Sequence, residues 1–264
     1  MSVTESKSEL FTVCGADVVE SGGKAREAPR SESGVFECYI QPCLAELLGT
    51  ALFVFVGCVS VVGNAGLSGC LQPALAHGLA LGVLIVVFGE ISGGHLNPAV
   101  TLCVALCGGM KLALLAPYVL AQLLGSMVGA ALAKAVSPSA SFSSAAGGAF
   151  DVVQTSGAVG AATVAEMLMT LLLTLVVCMG VVNAKTKTPL APLCIGLVVT
   201  ANILASAFVS GGCMNPARAF GPAVAAKHWE HHWVYWVGPI CGALLTVCMV
   251  RLGFGDQKTR VIWK

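Results

Sequence analysis

The chain has 264 residues, of which 56% are hydrophobic and only 10% are charged. Soluble domains usually carry about 25% charged residues, so this composition excludes an ordinary soluble domain and indicates a membrane protein. The formal net charge of +1 lacks the basic excess of a nucleic-acid-binding chain, and we expect no nucleic acid among the partners.

The first segment is polar. Residues 1–38 carry Ser, Gly and scattered acidic and basic residues, without the basic start and apolar stretch of a signal peptide. We expect a flexible N-terminal tail here, because so few apolar residues cannot form a core. The remaining chain divides into a membrane domain at 39–252 and a second short tail at 253–264.

Six apolar runs follow, each long enough to cross a hydrocarbon core of ~30 Å, which takes ~20 helical residues. Backbone polar groups cannot stay unpaired in lipid, so runs of this length predict helices and an all-α membrane fold. The runs lie at roughly 43–63, 71–91, 112–136, 158–182, 190–209 and 232–252.

Basic residues predict the orientation. Six spans put both termini on one side, and that side receives eleven of the fourteen Lys and Arg residues, which predicts that both tails are cytosolic. Plasma membrane and an intracellular membrane, such as the mitochondrial inner membrane, fit this pattern equally well. The eleven residues are Lys7, Lys24, Arg26, Arg30, Lys111, Lys185, Lys187, Arg251, Lys258, Arg260 and Lys264.

One octapeptide occurs twice. Residues 92–99 read SGGHLNPA, and residues 210–217 read SGGCMNPA, 118 positions later. Ala45-Glu46 likewise recurs as Ala165-Glu166, so we place two repeats at about 39–136 and 158–252. Each repeat holds three spans, an odd number, and the second copy is therefore inverted about a pseudo-two-fold axis in the membrane plane.

Each octapeptide ends in an Asn-Pro-Ala box before a short apolar stretch. Asn97 and Asn215 suit helix N-caps, and the prolines Pro98 and Pro216 suit the first helical position. About ten helical residues reach ~15 Å, half of the hydrocarbon core. We therefore predict two re-entrant half-helices that meet end to end near the midplane, in addition to six transmembrane helices.

The residues before each box are expected to run as an extended strand along a watery passage, the one place where non-helical backbone is tolerated at membrane depth. Half-helix N-termini carry positive partial charge, and Arg218 adds a full charge, so the passage suits a neutral polar molecule and not a cation. The two Asn amides act as donors. The expected carbonyl acceptors lie around Gly93, Gly94, His95, Gly211, Gly212 and Cys213.

Two Asn-Pro-Ala boxes (Asn97, Pro98, Ala99 and Asn215, Pro216, Ala217) in an inverted repeat, the second followed by Arg218, resemble the aquaporin family over about 41–252. The resemblance implies a passive channel for water and small neutral solutes, with one pore per chain and a homotetramer in the bilayer. It implies no enzymatic activity and no cofactor. Exclusion of protons and cations by Arg and half-helix dipoles is known for aquaporin-type pores, so here it is also what the resemblance implies.

The resemblance also places a selectivity filter by distance from the boxes: His77, Ile203, Gly212 and Arg218. Water-selective members usually carry an aromatic ring at the first position and His at the second. Here His77 is first and Ile203 second, while Gly212 leaves a third wall open, so we expect a wider opening. Neutral His77 is expected to accept a hydrogen bond.

This filter set resembles that of one aquaporin subgroup and implies passage of water, ammonia and hydrogen peroxide. Glycerol facilitators carry Asp directly after the filter Arg, where this chain has Ala219. An aquaglyceroporin-like facilitator stays an alternative, as does an inverted-repeat secondary transporter, which would need an alternating gate and usually an ion site.

Two carboxylates and most of the twelve cysteines lie in the membrane domain. Glu46 and Glu166 are costly in lipid, and their matched repeat positions predict that they accept backbone N–H groups of the re-entrant loops. Cys213 is the expected site of mercurial block. The other cysteines are mostly expected to behave as small apolar side chains, and without CxxC or Cys/His spacing we predict no metal site.

Overall fold

The computed structural model describes residues 34–152 and 157–262. Most of the predicted N-terminal tail, residues 1–33, lies outside the described residues. A π-helical turn at Phe36–Ile40 leads directly into the first long helix, so helical structure begins a few residues before the first apolar run.

The described residues are all-helical, which confirms the predicted fold class. The α-helices are α1 (Gln41–Gly63), α2 (Leu71–Ser92), α3 (Pro98–Leu106), α4 (Leu115–Val136), α5 (Ser139–Ser144), α6 (Ala158–Val177), α7 (Ala191–Ser206), α8 (Pro216–Ala226) and α9 (Val234–Met249). π-Helical turns at Cys178–Val182 and Val250–Phe254 extend α6 and α9.

Five of the helical segments are long and apolar enough to cross a membrane: those that contain α1, α2, α4, α6 and α9. The sixth, α7, has 16 residues and is shorter than the predicted run at 190–209. The half-helices α3 and α8 have 9 and 11 residues and begin at Pro98 and Pro216, as predicted. The long helices around the half-helices carry large exposed apolar side chains, such as Leu79, Val86 and Leu120, which suit contact with lipid.

Helix packing follows the inverted repeat. Helix α1 packs on α4, its repeat image α6 packs on α9, and α2 crosses α7. At that crossing a Cβ on Gly78 would meet the Gly196 carbonyl oxygen, and a Cβ on Gly196 would meet that of Gly78. Such reciprocal close contact needs glycine on both helices, and it lies where a pseudo-two-fold axis relates the two halves.

The predicted extended strand before each box is wrong. The backbone is left-handed at Gly93, Gly94 and Leu96 (φ 89°, 60° and 50°), and the second loop repeats this pattern at Gly211, Gly212 and Met214. Glycine adopts this region readily, whereas Leu96 and Met214 are strained and need strong support. The coiled backbone brings the loops to the midplane within few residues.

Candidate functional site

The first loop is held by one buried carboxylate. Oε1 of Glu46 accepts the Ser92 hydroxyl at 2.6 Å and the His95 N–H at 2.9 Å. Oε2 accepts the Leu96 N–H at 2.6 Å and the Gln122 amide at 2.8 Å. These bonds to a charged acceptor stabilise the strained Leu96 backbone.

The second loop uses the same support. Glu166 accepts the Ser210 hydroxyl at 2.7 Å and the backbone N–H groups of Cys213 and Met214 at 2.8 and 2.6 Å. Both carboxylates are fully buried and accept loop N–H groups, the arrangement expected from the sequence.

The two boxes are joined by a reciprocal pair of hydrogen bonds. Nδ2 of Asn97 donates to the Met214 carbonyl at 2.9 Å, and Nδ2 of Asn215 donates to the Leu96 carbonyl at 2.9 Å. Each Asn oxygen accepts an N–H of its own half-helix, for example that of Ala99 at 2.8 Å, so each is an N-cap. One amide hydrogen of each Asn remains to donate elsewhere.

A cavity of about 410 Å³ passes both boxes. Pro98, Ala99, Pro216 and Ala217 are buried in the half-helices behind its wall, and within the described residues the wall includes Gly212 and Cys213 but not Gly211. Gly211 instead backs onto the Phe150 ring. The predicted site residues on the wall are His77, Gly93, Gly94, His95, Asn97, Ile203, Gly212, Cys213, Asn215 and Arg218.

One end of the cavity, the Arg218 end, is built around a guanidinium. Arg218 is only 1% exposed, and its Nε–H donates to Nε2 of His77 at 3.0 Å. Nδ1 of His77 lies 2.7 Å from the Pro73 carbonyl, so it must carry the proton, and His77 is the neutral Nδ1–H tautomer. Nε2 of His77, the nitrogen that we expected to accept a hydrogen bond, therefore already accepts one from Arg218.

Two contacts of Arg218 come from the segment between the repeats, which sequence reasoning missed. Nη1 donates to the Gly148 carbonyl at 2.9 Å, and the guanidinium lies 4.7 Å from the Phe150 ring centroid. This segment has no copy elsewhere in the chain, and its two aromatic residues, Phe142 and Phe150, stand among Ser, Gly and Ala. No ion pair joins Arg218 to a carboxylate in residues 34–152 and 157–262.

The opposite end, the Asp256 end, is lined by the C-terminal segment and by Ala184 and Lys187. Asp256 accepts the N–H groups of Ala184, Lys258 and Thr259, each at 2.9 Å. Burial by itself would raise the pKa of Asp256, but these bonds and the Thr259 hydroxyl hold that pKa below its usual value. The C-terminal segment is thus fastened beside the cavity mouth.

Comparisons with known proteins match this geometry. The family model for the major intrinsic protein matches residues 35–249, which contain both boxes and both supporting carboxylates. The chain belongs to the major intrinsic protein family. It is an aquaporin: an integral multi-pass membrane protein and a channel for water and small solutes, not an enzyme.

Relatives place the aquaporin more narrowly. It is 54% identical to aquaporin-8 of Rattus norvegicus over 97% of this chain and 98% of the relative. Aquaporin TIP1-2 of Zea mays is 41% identical over 81% and 86% of the two chains. The predicted resemblance to one aquaporin subgroup is confirmed by the full-length similarity to aquaporin-8 relatives.

A solved structure shares the fold. The aquaglyceroporin from Plasmodium falciparum superimposes with a TM-score of 0.68, at 25% identity, over 79% of this chain and 93% of that one. The fold of this chain is therefore shared by a solved aquaglyceroporin.

Proposed function

We propose that this aquaporin passes water, ammonia and hydrogen peroxide and excludes protons and cations. The observation that carries the proposal is the Arg218 end of the cavity: Arg218 hydrogen-bonds His77, Gly212 lies against Ile203, and all four residues line the cavity. We assign these four residues to one ring, the selectivity filter. A neutral imidazole hydrogen-bonded to a buried guanidinium gives this ring one full positive charge.

Cation exclusion follows from that charge. Arg218 is buried, and in the part of the chain that the structure describes it contacts a neutral His, a carbonyl and the Phe150 ring but no carboxylate, so no opposite charge offsets its own. At about 4 Å a like charge is repelled by about 4 kcal/mol at an effective dielectric constant of 20. Ammonium meets this barrier, while neutral ammonia does not.

Proton exclusion is assigned to the two boxes. Asn97 and Asn215 hold their oxygens against their own half-helices, so each offers amide hydrogens to the cavity. A water that accepts hydrogen bonds from both Asn amides has both lone pairs occupied. Its two O–H groups can then only donate to the waters on either side of it. A file of waters polarised in this way does not relay a proton through the centre, and the positive half-helix N-termini add to the barrier.

Solute choice depends on the other two filter positions. Ile203 gives an apolar wall, and Gly212 adds no side chain, so small molecules that are less polar than water are admitted. Beyond the filter, the Thr101 hydroxyl donates to the Asn97 carbonyl and lies 3.2 Å from Nδ1 of His95, which leaves Nε2 of His95 to accept a hydrogen bond. Peroxide, with two O–H donors, suits such a wall.

The residues of the site support the two alternative functions less well. Ala219 is buried and offers no carboxylate to a polyol hydroxyl, which counts against an aquaglyceroporin-like facilitator. A secondary transporter would need loops that move, whereas here carboxylates and reciprocal Asn bonds fasten both loops.

We also propose the topology and assembly. Both tails lie in the cytosol, so the Asp256 end opens to the cytosol and the Arg218 end to the opposite side. The basic residues that line the Asp256 end, Lys187, Arg251 and Lys258, support this side by the positive-inside rule. The chain forms a homotetramer in the plasma membrane or an intracellular membrane, the mitochondrial inner membrane included.

Permeability measurements on proteoliposomes test the function. Water, peroxide and ammonia fluxes should all rise above those of empty vesicles and stay linear at millimolar solute, whereas glycerol flux and proton conductance should not rise. His77→Phe should narrow the ring and lower peroxide and ammonia flux more than water flux. Equal losses for all solutes would remove His77 from the filter, and saturable or counter-ion-dependent flux would overturn the channel.

A further inference from the structure

Three cysteines that are far apart in sequence meet beside the cavity. Cys103 lies on half-helix α3, Cys107 lies one turn later, and Cys178 begins the π-helical turn that extends α6. The Sγ atoms of Cys103 and Cys178 are 3.4 Å apart, and those of Cys178 and Cys107 are 3.8 Å apart. All three Sγ atoms lie within 4.8 Å of one another, and all three residues are buried.

This spacing is that of sulfur ligands around one ion. A metal–sulfur bond of about 2.3 Å with tetrahedral or trigonal angles separates the sulfurs by about 3.8 to 4.0 Å. The Cys178–Cys107 separation of 3.8 Å already matches that geometry, and the Cys103–Cys178 separation of 3.4 Å is about half an ångström short of it. A disulfide would instead require two sulfurs to approach to about 2.05 Å. It would join only two of the three cysteines and leave the third as a free thiol.

The surroundings select a soft ion. The cluster packs among apolar side chains, with Ala99, Ala243 and Val250 buried against it and Met179 and Val247 at its edge. No His or carboxylate joins the group within the described residues. Thiolates without hard oxygen or nitrogen ligands favour soft cations, and a d¹⁰ ion such as Cu(I) is satisfied by three of them, whereas Zn²⁺ usually takes a fourth ligand.

An entry path exists. Cys107 lies on the cavity wall with Gly108 and Gly109, and Arg251 lies on the same wall. An ion can therefore arrive through the cavity. Each thiol that binds gives its proton to cavity water, so three protons leave for one ion bound.

We propose that Cys103, Cys107 and Cys178 form a binding site for a soft, thiophilic cation, with Cu(I) as the matching ion. The site lies apart from the Arg218 end, since its sulfurs belong to α3, α6 and their following turns. Binding does not depend on which solutes the channel passes, so failure of this proposal would leave the proposed function intact.

The test is Cu(I) binding to the purified full-length chain, kept reduced without thiol reagents, in competition with a chromogenic Cu(I) chelator. We expect one tightly held ion per chain and an X-ray absorption spectrum with three sulfur ligands. Loss of an outer-shell partner alone lowers metal affinity about 10–100-fold, so Cys103→Ser, Cys107→Ser and Cys178→Ser should each weaken binding by at least about tenfold.

The matched control is the Cys194→Ser/Cys248→Ser double variant, which removes two exposed thiols outside the cluster and should bind as the original chain does. Water flux in proteoliposomes identifies which cluster variants are folded. If a variant does not fold, alkylation of the original chain decides instead: Cu(I) should protect Cys107 from modification. Equal affinity in a folded cluster variant, a nitrogen- or oxygen-rich ligand shell, or a disulfide without bound ion would overturn the proposal.

Discussion

The cavity walls on the two sides of the Asn-Pro-Ala boxes occupy equivalent places in the inverted repeat and carry different side chains. The positions 118 residues from His77, Ile203, Gly212 and Arg218 are Ile195, Ile85, Gly94 and Val100. All eight residues line the cavity. Gly212 corresponds to Gly94 and Ile203 to Ile85, so these two positions are the same in both repeats. His77 and Arg218, in contrast, correspond to Ile195 and Val100. A charged ring therefore faces an apolar ring along one passage.

The backbone supports, by contrast, are duplicated. The Tyr118 hydroxyl donates to the Ser92 carbonyl at 2.9 Å, and the Tyr235 hydroxyl donates to that of Ser210 at 3.0 Å. The loops must meet at the centre, so both need the same rigid geometry. Selectivity against cations needs only one charged barrier, and a second buried guanidinium would add desolvation cost without adding discrimination. This explains why the repeats match in backbone and differ in side chains.

The largest effect should come from breaking the duplicated supports. Glu46→Gln and Glu166→Gln each replace one accepting oxygen by an NH₂ group that faces backbone donors. Each buried donor left unpaired costs about 1–3 kcal/mol, so we expect a loss of about 3 kcal/mol or more in each variant. Thermal unfolding of the detergent-solubilised protein measures this loss.

The two variants should not be equal. Glu46 also accepts the Gln122 amide, whereas the corresponding position in the second repeat is Pro239, whose side chain has no donor. Glu46→Gln should therefore lower the unfolding temperature more than Glu166→Gln. Glu90→Gln, at an exposed acid on α2, is the matched control and should change little. An unchanged unfolding temperature in both loop variants would contradict the supporting role.

The second prediction makes the two ends alike. Arg218→Val gives the Arg218 end the residue of its repeat image, Val100, and removes the fixed charge. A barrier lowered by about 4 kcal/mol corresponds to a cation flux up to about a thousandfold higher, while water flux should stay similar or rise. Methylammonium conductance of proteoliposomes measures the change. Conductance that stays at the level of the original chain would assign cation exclusion to the half-helices alone.

Much of this molecule could be predicted from its sequence because the repeat fixes it. The half-helix starts at Pro98 and Pro216 and the predicted roles of Glu46 and Glu166 follow from residues that occur twice, and the spans follow from the lengths of the apolar runs. The left-handed loop backbone could not be predicted, since Leu96 and Met214 carry no glycine-like signal and their strain is offset by carboxylates more than 40 positions away.

The unrepeated features were missed for a related reason. The Gly148 carbonyl and the Phe150 ring come from the segment between the repeats, which has no counterpart for comparison. Cys103 and Cys107 are one helical turn apart, a spacing that can signal a shared face, but Cys178 lies 71 positions beyond Cys107 and only the fold brings it close.

The third prediction removes the other polar residue of the charged ring. His77→Ile gives the Arg218 end the residue of its image, Ile195, and takes away the acceptor of the Arg218 Nε–H. We expect the ring to become more apolar and the guanidinium less fixed, with water flux lower by about two- to tenfold, which corresponds to one hydrogen bond of about 1 kcal/mol. Stopped-flow light scattering measures it, with Ile195→Val as the control at the opposite end. Unchanged fluxes would contradict a role for this hydrogen bond.

The fourth prediction compares two thiols on opposite sides of the boxes. Cys213 lies at the repeat position of His95, and Cys107 lies toward the Asp256 end, and both line the cavity. We expect Cys213→Ser to relieve most mercurial inhibition of water flux and Cys107→Ser to relieve less, because Cys213 directly follows Gly212 of the proposed filter. Full inhibition of the Cys213→Ser variant would move the blocking thiol to the cluster.

The smallest effect should arise at the Asp256 end, where the hydrogen bonds of Asp256 hold the C-terminal segment and have no repeat counterpart at the Arg218 end. The folded-state pKa of Asp256 is depressed, so its carboxylate stabilises the C-terminal segment fully above the unfolded value of about 3.9 and loses that contribution only as pH falls below it. Neutral and mildly acidic pH should therefore leave the mouth unchanged.

Asp256→Asn removes the charge at every pH and leaves one oxygen for the N–H groups of Ala184, Lys258 and Thr259. Hydrogen bonds to a charged group contribute about 1.5–3 kcal/mol, so amide exchange at these residues should quicken about 10- to 100-fold. Asp151→Asn, at an exposed acid near the Arg218 end, should leave these three amides unaffected. Water flux should change by less than about twofold, since we propose that the barrier limiting passage lies at the filter around Arg218. A large flux change would instead place a constriction at the Asp256 end and make the C-terminal segment part of the pore.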